Sequence, residues 1–253
     1  MKRLLVLLLL LFSSFTYADT INLHWLNEDG TTYQNSTCVI DSDLILPATP
    51  PTKYGYTFTG WKMTNYVPIE YLESTGTQWI DTGIVADETT EAEIDFKDAQ
   101  SILFMVSTGE WYSNNFGIVA RSGANYIVFY MNCDGYTNYS VTSKISGNIK
   151  LLLDGIYLND TKLTITSGNI PASTKFTTTY TIPIFARKWQ NVIQEKFSYK
   201  LNYFKLWQNN ILVRDFIPVL DGDGTPCMFD RVTGQFFYNQ GTGKFIAGPV
   251  LTE

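Results

Sequence analysis

FSYKLNYFKLWQNNILVRDFIPVL, residues 197–220, is the stretch from which the fold can be read. Phe197 to Gln208 and Ile211 to Leu220 are runs rich in aromatic and β-branched residues, separated only by Asn209-Asn210. Asparagine tolerates the positive φ that a two-residue turn imposes, so the stretch predicts a β-hairpin. The same arrangement recurs outward along the chain, with Asp154-Gly155 and Thr233-Gly234 each standing between apolar runs. Further strands are predicted at Thr20 to Leu26, Thr57 to Trp61, Glu91 to Phe96, Ile102 to Ser107, Phe116 to Ala120, Tyr126 to Met131, Ile149 to Leu153, Lys162 to Ile165, Ile182 to Ala186, Cys227 to Asp230 and Phe236 to Tyr238. Thr166 to Thr179 reads as a polar connection. No long window carries a 3.6-residue apolar period, and turn residues recur every ten or so positions, so the chain is expected to be all-β.

The N-terminus carries a different signal. Lys2 and Arg3 precede the apolar run Leu4 to Phe12, and small and polar residues lead to Thr16-Tyr17-Ala18 before Asp19. This is the order of a cleavable Sec leader, and its apolar run is shorter than the ~20 residues a spanning helix needs. Residues 1–18 are therefore expected to be a signal peptide, and the chain an exported protein of the cell envelope, cell surface or medium, without a membrane span. Loss of Lys2 and Arg3 shifts the formal charge from -6 to -8, which disfavours nucleic acid and anionic lipid as partners. About 235 mature residues suffice for one large β domain and a small one. Of three cysteines, Cys38, Cys133 and Cys227, at least one must stay unpaired within a monomer, and Cys133 with Cys227 is a pairing open to the larger domain.

Two segments resemble known families. Leu46-Pro47-Ala48-Thr49-Pro50-Pro51-Thr52-Lys53-Tyr54-Gly55-Tyr56-Thr57-Phe58-Thr59-Gly60-Trp61 resembles the internalin B-repeat, also called the Listeria-Bacteroides repeat. The resemblance implies a small β-grasp-like module of an extracellular protein over residues 19–64, with Tyr56, Phe58 and Trp61 in its core. Further on, Ile69-Glu70-Tyr71-Leu72-Glu73-Ser74-Thr75-Gly76-Thr77-Gln78-Trp79-Ile80-Asp81-Thr82-Gly83 is similar to the opening of modules in gut-bacterial and phage proteins. The ending Phe229-Asp230-Arg231-Val232-Thr233-Gly234-Gln235-Phe236-Phe237-Tyr238-Asn239 is similar to theirs as well. Those modules look like laminin-G or concanavalin-A-type jelly rolls. This implies a two-sheet antiparallel sandwich over residues 65–253 whose first and last strands lie close together.

His24 is the sole histidine and lies far in sequence from any candidate nucleophile, and no zinc helix, serine elbow or phosphate loop is present. Asp221-Gly222-Asp223-Gly224 lacks the later oxygens of a calcium loop, with Arg231 and Val232 near the position where its glutamate would stand, so it reads as a turn. Glu91, Glu93 and Asp95 alternate on one strand face, as in jelly-roll glucanases, but Lys97 and Asp98 replace the second glutamate. No catalytic residue, metal ligand or cofactor is therefore assigned. The leading expectation is a binding or adhesion protein that takes a glycan or a surface-protein ligand. Its binding residues would be aromatic and amide side chains in loops: Trp111, Tyr112 and Asn114 in one cluster, Tyr136 and Asn138 in a second, Trp189 in a third. A degenerate glycoside hydrolase and a non-binding structural envelope protein are the alternatives. Trp79, Phe204, Trp207, Phe216, Phe229 and Phe236 are expected in the core.

Overall fold

The structure, a computed structural model, describes residues 2–11, 20–26, 32–39, 45–99, 102–108, 114–120, 126–131, 137–140, 146–167 and 176–251. The described residues form strands and turns and contain no helix. The N-terminal strands are β1 (Lys2–Leu11), β2 (Thr20–Leu26), β3 (Thr32–Val39) and β4 (Tyr56–Pro68). Next come β5 (Leu72–Thr75), β6 (Ile80–Asp87), β7 (Glu91–Lys97), β8 (Ile102–Ser107), β9 (Asn115–Ala120), β10 (Tyr126–Met131) and β11 (Thr137–Ser140). They are followed by β12 (Gly147–Leu152), β13 (Gly155–Leu158), β14 (Thr161–Lys162), β15 (Ile165–Ser167), β16 (Thr177–Ile184), β17 (Ala186–Trp189) and β18 (Val192–Lys196). The chain ends with β19 (Ser198–Gln208), β20 (Ile211–Asp221), β21 (Pro226–Asp230), β22 (Gln235–Phe237) and β23 (Ile246–Ala247).

Two main sheets make the sandwich. The larger runs β14-β13-β12-β7-β19-β20-β4-β1-β2-β3, with β21 and β22 continuing from β20 and β5 joining β19 to β23. The smaller runs β15-β11-β10-β9-β8-β17-β18, and β16 pairs with β6 separately. Pairings are antiparallel except β1 with β4 and β17 with β8. The predicted hairpin is present as β19 and β20, with Asn209 and Asn210 at φ 51° and 61°. First and last strands of the sandwich also meet: Glu73 faces Ile246, and Ile69 bridges to Val250.

Alternation decides what is buried. On β7, Ala92, Ile94 and Phe96 are buried while Glu91, Glu93 and Asp95 stay half-exposed, because successive side chains point to opposite faces. Tyr199, Leu201, Phe204 and Leu206 line the same core from β19, and Phe104, Val106, Phe116 and Ile118 from the smaller sheet. Each such side chain contributes about 1.5–3 kcal/mol by leaving water. The Tyr199 hydroxyl joins the sheets, donating to Leu103 O at 2.8 Å and accepting from Phe185 N at 3.2 Å. A second cluster, Tyr66, Val219, Cys227 and Phe229, lies under β20 and β21.

Several expectations need comment. β4 passes through the expected boundary at 64/65, pairing with β1 from Tyr56 and with β20 at Tyr66 to Pro68. Lys2–Leu11, in the segment expected to act as a leader, forms a strand between β2 and β4. In the N-terminal sheet the buried residues include Trp25, whose indole N–H donates to Ser36 Oγ at 2.8 Å. Phe58 is half-buried, and the side chains of Tyr56 and Trp61 lie outside the described set. The polar connection is shorter than predicted, since β15 extends to Ser167 and β16 begins at Thr177, its threonines being good strand formers. Ile182 to Ala186 is not one strand, because Phe185 takes φ 64° and separates β16 from β17. Trp207 is not a core residue: it lies on the outward face of β19 with Lys205.

Candidate functional site

The strands that flank the three aromatic clusters, spread over some eighty residues of sequence, end together at one end of the smaller sheet. β8 ends at Ser107, which faces Asn115 at the start of β9. Phe116 faces Met131, the last residue of β10, and Phe129 faces Thr137, the first of β11. On the other side of β8, Ser107 faces Trp189 at the end of β17, which itself faces Val192 of β18. The strand ends that border 109–113 and 132–136 therefore lie at the same end of the sheet as the Gln190-Asn191 turn. Thr108 N donates to Asn114 O at 3.2 Å and Gln190 N to Ser107 O at 3.1 Å, which closes the stems. Asn114, Gln190 and Asn191 have φ of 52°, 47° and 64°, conformations that asparagine accommodates.

Asn114 and Trp189 stand at these stems, and Asn138 is the second residue of β11, between Val128 and Ser167. Trp189 is half-buried with the Arg187 guanidinium 5.7 Å from its ring centre. Trp111, Tyr112 and Tyr136 lie outside the described residues.

Six buried side-chain atoms lack a hydrogen-bond partner among the described residues, and they fall in two places. Thr108 Oγ1, Asn115 Oδ1 and Arg187 Nε are at this loop end, while Asn148 Oδ1, Asn202 Oδ1 and Asp215 Oδ1 belong to residues of the larger sheet. An orphaned buried polar atom costs about 1–3 kcal/mol unless water or a ligand satisfies it.

The larger sheet carries the second grouping around β7. Asn148 faces Asp95, which faces Tyr203; Lys150 faces Glu93, which faces Lys205; and Glu91 faces Trp207. Glu93 Oε1 accepts from Asn148 Nδ2 at 2.8 Å and from the Tyr203 hydroxyl at 2.9 Å, with Lys150 Nζ at 4.0 Å. Burial, followed by the Glu93 carboxylate, pushes the Tyr203 hydroxyl pKa well above its ordinary value. Glu91 Oε1 accepts from Leu153 N at 2.9 Å, and Asp95 Oδ2 from Asn202 Nδ2 at 3.1 Å. Above these residues opens a groove of about 280 Å³ lined by Glu91, Glu93, Lys150, Leu152, Trp207 and Asn210. The acidic alternation on β7 was legible in the sequence. Trp207, Lys150, Asn148 and Tyr203 were not, because their proximity depends on β7 lying between β12 and β19.

Other polar groups are committed to the fold. Lys188, almost wholly buried, donates to Asp81 Oδ2 and Thr181 Oγ1 at 2.7 Å each, with Trp79 beside it. Burial alone would raise the Asp81 carboxyl pKa, but hydrogen bonds from Lys188, Gly83 N and Thr181 outweigh it and hold the pKa below the ordinary carboxylate value. Asp230 accepts from Asp215 N, Val232 N and Thr233 Oγ1, and Arg231 pairs with Asp215 at 2.7 Å. Asp221 Oδ1 accepts from Asp223 N and Thr225 N, the pattern of a carboxylate closing a turn. Cys227 is a free, fully buried thiol, and burial pushes its pKa up to about 12, with the Asp221 carboxylate adding to the shift. Cys133, whose pairing with Cys227 was open from the sequence, lies outside the described residues, and Cys227 packs in the cluster of Tyr66, Val219 and Phe229.

The fold defines the class as an all-β, two-sheet sandwich protein, and no helix among the described residues is long and apolar enough to cross a membrane. No family model, curated protein or solved structure matches the chain.

Proposed function

We propose that this chain is an exported surface or envelope protein that binds a glycan or a surface-protein ligand at the loop end of its smaller sheet. In this reading residues 1–18 direct export, the B-repeat-like segment up to residue 64 presents the sandwich, and the sandwich recognises its ligand without transforming it. The observation that supports the proposal is that the strand ends flanking the three aromatic and amide clusters meet at one end of the smaller sheet. The buried orphan atoms of Thr108, Asn115 and Arg187 beneath them add support. Rings supply flat apolar faces and amides supply paired donors and acceptors, the combination that sugars and polar protein loops both use. Replacing Trp111, Tyr136 and Trp189 together by alanine is expected to abolish binding on arrays of glycans and surface proteins while leaving the circular dichroism of the sandwich unchanged. An unaltered binding profile would remove these loops from consideration.

A further inference from the structure

Among the described residues, six aromatic rings each carry a cation from this chain. Lys162 sits over Tyr157, Arg187 over Trp189, Lys188 over Trp79, Lys200 over Tyr71, Lys205 over Tyr203 and Arg214 over Phe237, at 5.2–5.7 Å. Trp207, half-exposed on β19, has no such cation among the described residues, although it lines the groove and faces Glu91 directly. The groove sets two carboxylates near it, Glu91 directly opposite and Glu93 between Lys150 and Lys205. Glu91 and Glu93 both line it, and their local hydrogen bonds engage Oε1 in each case, leaving both Oε2 atoms without a partner among the described residues. The one lining cation, Lys150, is already paired with Asp160 and lies 4.0 Å from Glu93. A ring without a cation, beside two carboxylates with unused oxygens, is matched by a ligand that brings its own positive charge.

The shape restricts which cation. The groove has one aromatic wall on an open sheet face, whereas a lysine or quaternary ammonium group is best held by several rings around it. A pyranose can lay its CH face on a single indole and project an equatorial substituent sideways toward the carboxylates. Asn210 at the groove then offers its amide to sugar hydroxyls, while Asn148 and Tyr203 hold the Glu93 carboxylate in place. We propose that this groove binds a hexosamine whose amine is free and protonated. The site is separate from the loop end and does not rest on its function.

The test compares chitosan oligosaccharides with their fully N-acetylated counterparts by titration calorimetry on the whole protein, since the two differ in charge but not in backbone. The deacetylated oligomer is expected to bind at least about tenfold more tightly, with an affinity that falls as salt rises and as pH deprotonates the amine. Trp207→Ala should abolish binding, and Glu91→Gln with Glu93→Gln should erase the preference for the free amine. A remote pair with the same charge change, Asp223→Asn with Glu195→Gln, should leave affinity unaltered. The loop-end alanine variant should also retain it, which separates this site from the one proposed above. Equal affinity for the acetylated oligomer, equal affinity for a lysine-rich peptide, equal loss in the remote pair, or no binding at all would each overturn the proposal.

Discussion

Asp81 and Lys188 concentrate at one point what burial of charge requires. The Lys188 ammonium is nearly out of water and is satisfied by Asp81, Thr181 and the face of Trp79. Removing one partner of such a pair strands the other, and Asp81 is itself about one-third exposed, so Asp81→Asn is expected to cost about 2 kcal/mol. The pH dependence has a definite sign. With its folded pKa below the unfolded value, Asp81 stabilises the protein above the unfolded pKa, and that contribution disappears as pH falls through the folded one. Urea denaturation along an acid series should show a steep decline below about pH 4 in the parent and a flatter one in Asp81→Asn. The composition of this cluster was in plain view in the sequence, but Asp81 and Lys188 are 107 residues apart and nothing local connects them.

Among elements, the β8–β9 hairpin shows how close backbone approach constrains residue type. A Cβ at Gly117 would meet Phe104 O and lie 2.7 Å from Met105 Cα, where the β8–β9 register shifts between Ile102 and Phe104. These are backbone atoms, so no rotamer change relieves the contact. Gly117→Ala is expected to destabilise by about 1–3 kcal/mol, read as a lower thermal midpoint. Strand existence was legible here: Ile102 to Ser107 and Tyr126 to Met131 were predicted to the residue. The facing of strands was less so. The sequence reading expects Trp207 in the core, yet the shift between Leu201 and Tyr203 places two successive residues outward and sets Lys205 and Trp207 on the open face.

For the whole molecule, the buried hydroxyls of Tyr66 and Tyr199 and the Cys227 thiol act alike. Burial raises the folded pKa of each above its unfolded value. Above the unfolded values the denatured chain sheds protons that the native chain retains, so stability falls as pH rises beyond about 9–10. Tyrosinate absorbance should therefore appear for these two residues together with loss of circular dichroism; if Tyr199→Phe leaves the alkaline transition in place and unshifted, the buried hydroxyl is not among its causes. At this scale the sequence by itself determined that the chain is all-β, where its turns lie, and that its β7 face is acidic. Those properties follow from φ preference and from the two-residue period of a strand, both local. The tertiary structure alone decided that the strand ends flanking the three aromatic clusters share one end of the smaller sheet and that Trp207 stands half-exposed beside Glu91 and Glu93. Strand order and register bring together residues far apart in the chain, and no local periodicity encodes that choice.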